Sequence, residues 1–414
     1  MKNTLSPTLQ NDRADILDVI RGFAILGIFM DNLFAFTGWG FCSPTQREAM
    51  STWPADGVFG LLELVFVHGK FYSIFSLLFG IGFSIILIRN EQKGINPLKI
   101  FFRRLFILLL IGSIHLFLLW DGDILFLYAL LGFLLPLFRN CSDKKLLTWA
   151  AILIVSPLLV DSIKVIFHFK AGAFLETIAQ GIDKKTGVPI DETFSKYLFS
   201  ERSGWQEWRN WLSSGWAYRY AYLIESNRAP KVLGMFLIGL YVGRKMIYTK
   251  LEENIQLFKR LIKWGLIIGI PSNIAMAYFE INGHSIFESV GLLNTLFTIG
   301  VVPLSLAYVS AICLLWLRSD GTSKWKIFAP VGRMALTNYL MQTILGIVIF
   351  YGVGFGLGGN IGPALFLPIG LAIYSFQVIY SNWWFRYFNY GPLEWIWRQL
   401  TYGKRLSIKK PTIL

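Results

Sequence analysis

Charged residues are scarce in this chain. Of 414 residues, 15% are charged, against 54% hydrophobic and 16% aromatic. A soluble domain needs about 25% charged residues to cover its surface. A water-solvated globule is therefore excluded, and lipid must cover much of the chain. Cysteine is nearly missing: Cys42, Cys141 and Cys313 stand far apart with no C-x-x-C pair. That leaves no disulfide framework and no thiolate zinc site. The alternating segments of about ten residues that build a membrane β-barrel are also lacking, because the apolar runs are continuous. No cleavable signal is evident: the first ten residues are polar, and the first apolar run is too long and has no small-residue cleavage site. Acidic side chains are the scarcer sign, 25 against 39 Lys and Arg, for a net charge of +14. In a soluble protein this excess would suggest nucleic acid. Here the basic residues sit in short clusters between apolar runs, which is the pattern of inner-leaflet anchoring and speaks against nucleic acid as a partner.

The apolar runs give an all-α fold, a polytopic transmembrane helix bundle of about ten spans. They cover roughly residues 16–36, 70–88, 102–120, 122–138, 146–167, 231–247, 261–280, 287–316, 330–352 and 362–382. The fourth is short. The eighth is long and holds Gly300 and Pro303 in "FTIGVVPLSL", where it could bend or break. If it crosses once, as a kinked helix, every basic cluster falls on one side: Arg89 to Arg104, Arg139 to Lys145, Arg244 to Lys263, Arg318 to Arg333 and Arg386 to Lys410. Both termini are then cytoplasmic. The segment 169–230, with Trp205, Trp208, Trp211 and Trp216, is then extracytoplasmic. It reads either as an interfacial helix or as a lid over an external site. It divides the chain into a front five-span bundle, 1–168, and a back one, 231–414.

The first span, "LDVIRGFAILGIFMDNLFAF", carries Asp18 and Arg21 near one end and Asp31 and Asn32 near the other. Positions 18, 21, 25, 28 and 32 share one helical face, with Asp31 turned by about 100°. The third span repeats the layout: Arg103 and Arg104 at its start, His115 on the face of Arg104, then Asp121 and Asp123. Arg21 to Asn32 and Arg104 to His115 each span about 16 Å. If these faces meet, arginines gather at the inner end, and Asp31, Asn32, His115 and Asp123 at the outer end, where His68 also lies. An ionisable group inside a membrane costs about 2.5–3.5 kcal/mol or more unless paired or wetted. Simpler readings stand beside the functional ones, a substrate or catalytic cluster and a proton path: snorkelling arginines, an i,i+3 ion pair or an interhelical hydrogen bond. In the back half, Asn338 and Gln342 share a face of "GRMALTNYLMQT", either as interhelical polar glue or as cavity lining. The glycine run Tyr351 to Pro363 reads as a flexible outer loop, and "NYGPLEWIWRQLTYGKR" as an amphipathic stretch on the inner leaflet.

The order "LDVIRGFAILGIFMDN", "KFYSIFSLLFGIGF", "GDILFLYALLGF", "GRMALTNYLMQT" and "GPLEWIWRQLTYGKR" resembles the YeiB family of bacterial inner-membrane proteins over nearly the whole chain. That family carries a domain of unknown function, number 418, in its back half. The resemblance implies a multi-pass protein of the bacterial plasma membrane. The opening LDxxRG is also similar to transmembrane acyltransferases, the heparan-glucosaminide acetyltransferase group and the polysaccharide O-acyltransferases. In those, a cytoplasmic acyl donor such as acetyl-CoA feeds an acceptor on the far side with help from an intramembrane His. Asn32 stands where the glucosaminide group has its first-helix Asn. That group's following His is missing, with no His before His68, so His115 would take the role.

Two functions follow as expectations. As an acyltransferase, Arg21, Arg103 and Arg104 would hold the CoA phosphates. His115 would be the general base, oriented by Asp123 or Asp31, and Asn32, Asn338 and Gln342 would line the acceptor cavity. The partners would be the bilayer, acyl-CoA as co-substrate and an extracytoplasmic acceptor. A homo-oligomer is compatible with this reading, and no metal or bound cofactor is expected. As a transporter or permease, kinked spans around Gly300 and Pro303 would suit a site near the midplane.

Overall fold

The computed structural model describes residues 15–94, 96–200, 202–281, 286–319 and 324–411. Among them the chain is helical apart from links, turns and one isolated antiparallel bridge, Phe388 with Lys409. The all-α class is thus observed. Seven helices are long and apolar enough to cross a membrane, eight if a bent pair is added.

The first candidate crossing is α1, Asp15–Phe36. After a short α2 (Pro44–Glu48), α3 (Ala55–Phe66) and α4 (Lys70–Gln92) together form the second. Asn96 caps α5 (Pro97–Leu118) by accepting from Leu98 N, with Pro97 in its first turn. The expected fourth span, 122–138, is not one helix. α6 (Leu125–Gly132) has 8 residues, and the chain then takes a 3-10 turn, Leu135–Phe138, holding Pro136. Pro lacks the donor that would continue the helix. α7, Asp143–Ile166, crosses next. Segment 169–230 folds as α8 (Ala173–Thr186), α9 (Phe194–Phe199) and α10 (Trp205–Glu225). Trp208 and Trp211 of α10 are buried against the bundle, while Trp205 is exposed.

The sixth expected span is α11, Arg228–Arg244, with Arg228 and Lys231 buried in its first turn. It lies against α4, where Gly80 and Gly239 let the backbones touch. A Cβ at Gly80 would stand 2.0 Å from the Phe236 carbonyl oxygen, and one at Gly239 2.1 Å from that of Leu77. Such small-residue seams are how helices pack without a hydrophobic drive between them. α12 (Ile255–Ile281) and α13 (Ile286–Arg318) form a long hairpin, and α13 is one continuous helix of 33 residues containing Pro303. The ninth expected span is broken. The segment Lys324–Arg333, which ends in α14 (Ala329–Arg333), meets α15 (Ala335–Phe350) at 80°. α16 (Pro363–Tyr387) crosses last.

Two expectations for loops are corrected. The glycine run is not a loose loop: Gly359 N donates to Thr37 O at 2.7 Å, Gly358 N to Phe350 O at 2.9 Å, and Tyr351 is buried. The final helix α17, Pro392–Tyr402, does not merely lie on a leaflet. It docks on α5 and α15, because Trp397 and Glu394 find partners there.

Candidate functional site

The apolar stripe of α1 that carries Asp18 and Arg21 faces a cavity of about 300 Å³. Asp18, Arg21, Ile25 and Ile28 all line it, as the three-and-four spacing requires. From α5 the same face contributes Arg104, Leu105 and Leu108. From α4 come Phe75, Phe79, Phe83 and Arg89. The walls are thus apolar along most of their length. Five half-buried arginines, Arg21, Arg89, Arg104, Arg333 and Arg398, stand at one end with only Asp18 and Glu394 as carboxylates. They come from the start of α1, the end of α4, the first half of α5, the end of α14 and α17.

Glycine contacts bring together the backbones that carry two of these arginines. A Cβ at Gly332 would lie 1.9 Å from the Asp18 carbonyl oxygen, and one at Gly22 2.4 Å from that of Phe328. Only bare backbone fits at this crossing, and Arg21 and Arg333, each next to one of these glycines, both line the cavity. Arg21 Nη1 pairs with Asp18 Oδ1 at 2.5 Å and donates to Gly332 O at 3.4 Å. Arg104 lies over the Trp397 ring at 4.1 Å, and Trp397 Nε1 donates to Arg104 O at 3.1 Å. Arg333 stacks on Phe385 at 4.1 Å. The break before α15 leaves its first N–H groups without helical partners. Glu394 fills the gap, accepting from Leu336 N at 2.7 Å, Thr337 N at 3.1 Å and Thr337 Oγ1 at 2.7 Å. Burial pushes the Glu394 carboxyl up, and the Thr337 hydrogen bonds oppose it.

At the other end of the cavity stands Tyr339, and behind it His115. The two rings lie 5.2 Å apart. The Tyr339 hydroxyl is buried and makes no hydrogen bond. His115, Asp123 and Thr343 are each 1% exposed. His115 Nδ1 lies 2.7 Å from Asp123 Oδ2, and Nε2 2.9 Å from Thr343 Oγ1. A carboxylate only accepts, so Nδ1 carries the proton; in the neutral imidazole Nε2 is then the acceptor for the Thr343 hydroxyl, which also lies 3.4 Å from Tyr339 O. Asp123 is itself held, its Oδ1 accepting from Phe126 N at 2.7 Å at the start of α6. Beyond the dyad, Trp211 Nε1 of α10 donates to Asp121 Oδ1 at 3.0 Å. Burial pushes the Asp121 carboxyl up, and this hydrogen bond pulls it back.

Arg21 and Arg104 line the cavity, and His115 and Asp123 pair behind its Tyr339 wall without lining it. The other candidates lie elsewhere. Asp31, expected as an orienter of His115, pairs instead with His68 Nδ1 at 3.0 Å. It is turned off the cavity stripe of α1, so it cannot face α5. Asn32 is on the stripe but beyond the cavity, which ends near Ile28. Arg103 is exposed, because one residue along a helix turns about 100° from Arg104. Asn338 and Gln342 do not line the cavity. Asn338 Nδ2 donates to Ser381 Oγ at 3.2 Å, and Gln342 Nε2 to Gln377 Oε1 at 2.8 Å, so the pair ties α15 to α16. Thr343 was not anticipated, although it follows Gln342 by one residue and lies four beyond Tyr339. Arg89, Arg333 and Arg398 stood out in the sequence only as parts of basic clusters.

Comparison with known proteins gives the following. Residues 242–404 match the family model described as "Protein of unknown function (DUF418)". The chain is 34% identical over 99% of both chains to the "Uncharacterized protein YxaH" of Bacillus subtilis. It is 29% identical to the "Uncharacterized protein YeiB" of Escherichia coli, over 94% of this chain and 96% of that one. An "Uncharacterized 39.9 kDa protein in amylase 3'region" from Bacillus acidopullulyticus is 28% identical over 98% of each. No solved structure matches.

Proposed function

The chain belongs to the DUF418 family, and from that premise we propose that it is an acyltransferase of the bacterial inner membrane. It takes an acyl group from a cytoplasmic acyl-CoA and delivers it to an acceptor hydroxyl or amine on the far side. One observation carries this reading: an apolar cavity with five arginines at one end and a buried His–Asp dyad behind its other end. A polyanionic head with a long, mostly apolar arm matches that distribution. Arginine forks bind phosphate in pairs, and Arg104 and His115 are separated along α5 by about 16 Å.

In this reading Asp123 holds His115 with Nε2 as the basic nitrogen. The acceptor O–H loses its proton to Nε2, either by displacing the Thr343 hydroxyl or through it. The acceptor oxygen attacks the thioester carbon, a C–O bond forms, and the C–S bond breaks. The departing CoA thiolate takes up the proton, leaving an ester and free CoA. Rotation of the Tyr339 ring opens the path from cavity to imidazole.

The test uses the full chain purified in detergent. Acyl-CoA should raise its thermal midpoint, and free thiol should appear when acceptor is supplied. Absence of both acyl-CoA binding and thiol release would overturn the reading. The 80° break between α14 and α15 favours one alternative, a permease for an amphiphilic anion, since broken helices build transporter sites. Flux into vesicles with no thiol release would select it.

A further inference from the structure

We propose that Asp31, Glu63 and His68 form a binding site for one first-row divalent metal ion, Zn²⁺ or Mn²⁺, at the far end of α1 from Arg21. None of the three lines the cavity, so the site is independent of the acyl-transfer reading. One donor atom from each residue lies within 4.8 Å of the others. His68 Nδ1 is 3.0 Å from Asp31 Oδ1 and 3.9 Å from Glu63 Oε1. Ligand atoms each about 2.1 Å from one ion stand about 3–4 Å apart, so little movement is needed to close on a metal.

The fold builds this convergence from three places. Asp31 comes from α1 and Glu63 from α3. His68 comes from the link to α4, where Gly69 turns the chain with φ 81°. The His68 ring rests edge-on against Phe297 at 5.5 Å, and His68 N donates to Glu63 O at 2.9 Å.

The independent sign is Glu63. Its side chain is 6% exposed, and Oε1, 3.9 Å from His68 Nδ1, is buried with no donor bonded to it; its close polar neighbour is a second carboxylate, Asp31. A buried orphan carboxylate oxygen is costly, and a metal ion would satisfy it. The neighbouring cations act on these carboxylates through charge, but among the described residues neither hydrogen-bonds Glu63. Lys70 Nζ is spent on Leu64 O at 2.7 Å. Arg228 lies over Tyr72 at 4.1 Å and donates to the Tyr222 hydroxyl at 3.1 Å. Glu280 of α12 adds a further, weaker negative field at Glu63.

One imidazole nitrogen and two carboxylate oxygens suit borderline first-row ions. Ca²⁺ prefers six or more oxygens. Asp31 and His68 are 30% and 27% exposed, which provides an entry path and leaves a coordination position for water.

The experiment uses the full chain carrying a tag without histidine, stripped with chelator. It is re-equilibrated with micromolar Zn²⁺ or Mn²⁺ and freed of unbound metal by gel filtration. Elemental analysis should find about one ion per chain, and the thermal midpoint should rise with metal. Glu63→Gln and His68→Ala should each bind at least tenfold less and lose the metal-dependent rise. Gln keeps the shape of Glu and guards against misfolding; if either variant is not monodisperse, Asp31→Asn takes its place. A stripped wild type that takes up no metal overturns the proposal. So does equal uptake by either variant, which would leave only a carboxylate–imidazole hydrogen-bond network.

Discussion

Thr343 fixes which nitrogen of His115 is available as a base. Its hydroxyl donates to Nε2 while Asp123 holds Nδ1, so both ring nitrogens are satisfied in a fully buried site. Thr343→Val should leave Nε2 buried and unpaired, lowering stability by about 1–2 kcal/mol. It should also slow CoA release, and Thr343→Ser should restore both; equal rates in all three forms would remove Thr343 from the proton path. His115→Gln keeps a hydrogen bond toward Asp123 but cannot act as a base. It should reduce turnover by about 10²–10⁴-fold with acyl-CoA binding unchanged. Arg104→Ala should do the reverse, weakening binding about tenfold or more for one lost charge-assisted contact. Parallel losses of binding and turnover in both variants would point to a shared structural role.

At the scale of elements, the cavity depends on one crossing and one cap. α1 and α14 touch through Gly22 and Gly332. Gly332→Ala places a methyl group against the Asp18 carbonyl, so the helices must separate. The expected cost is about 1–3 kcal/mol of stability, together with weaker acyl-CoA binding as Arg21 and Arg333 move apart. Retained affinity in a destabilised variant would show that the two arginines do not act as a pair. The cap is Glu394, which closes the broken start of α15 from α17. Glu394→Ala should lower stability by about 2 kcal/mol. Glu394→Gln, which still accepts from the two backbone N–H groups, should lose less than half of that. Equal losses would mean that the charge matters more than the cap.

For the whole molecule, the five arginines come from five separate segments yet reach one end of the bundle. The topology expectation itself rests on the one-sided basic clusters in the sequence. Reporter fusions near residues 200 and 400 should therefore give opposite signals, and like signals would reject the expected topology. The segment with α8, α9 and α10 should resist protease added from the outer side, since Trp208 and Trp211 are buried and Trp211 is bonded to Asp121. Rapid cutting throughout would mean that it undocks in the membrane.

The sequence alone determined the solvent, the class and the inner face of the first helix. Scarce charge and long apolar runs require lipid, and the three-and-four spacing put Asp18, Arg21, Ile25 and Ile28 on one stripe whatever packs against it. The same spacing put Arg104 and His115 on one face of α5. Periodicity is a local property and survives tertiary packing. Partner choice is not local. The tertiary structure decided that Asp123 rather than Asp31 meets His115, that Thr343 completes the dyad, and that Arg89, Arg333 and Arg398 join Arg21. These contacts join residues far apart in the chain, and they depend on helix crossings set by glycines whose role shows only once two backbones are seen to touch. The span count was less legible for a related reason. Mean hydropathy cannot distinguish a crossing helix from an apolar segment broken at Pro136 or bent at Met334, because both bury similar side chains.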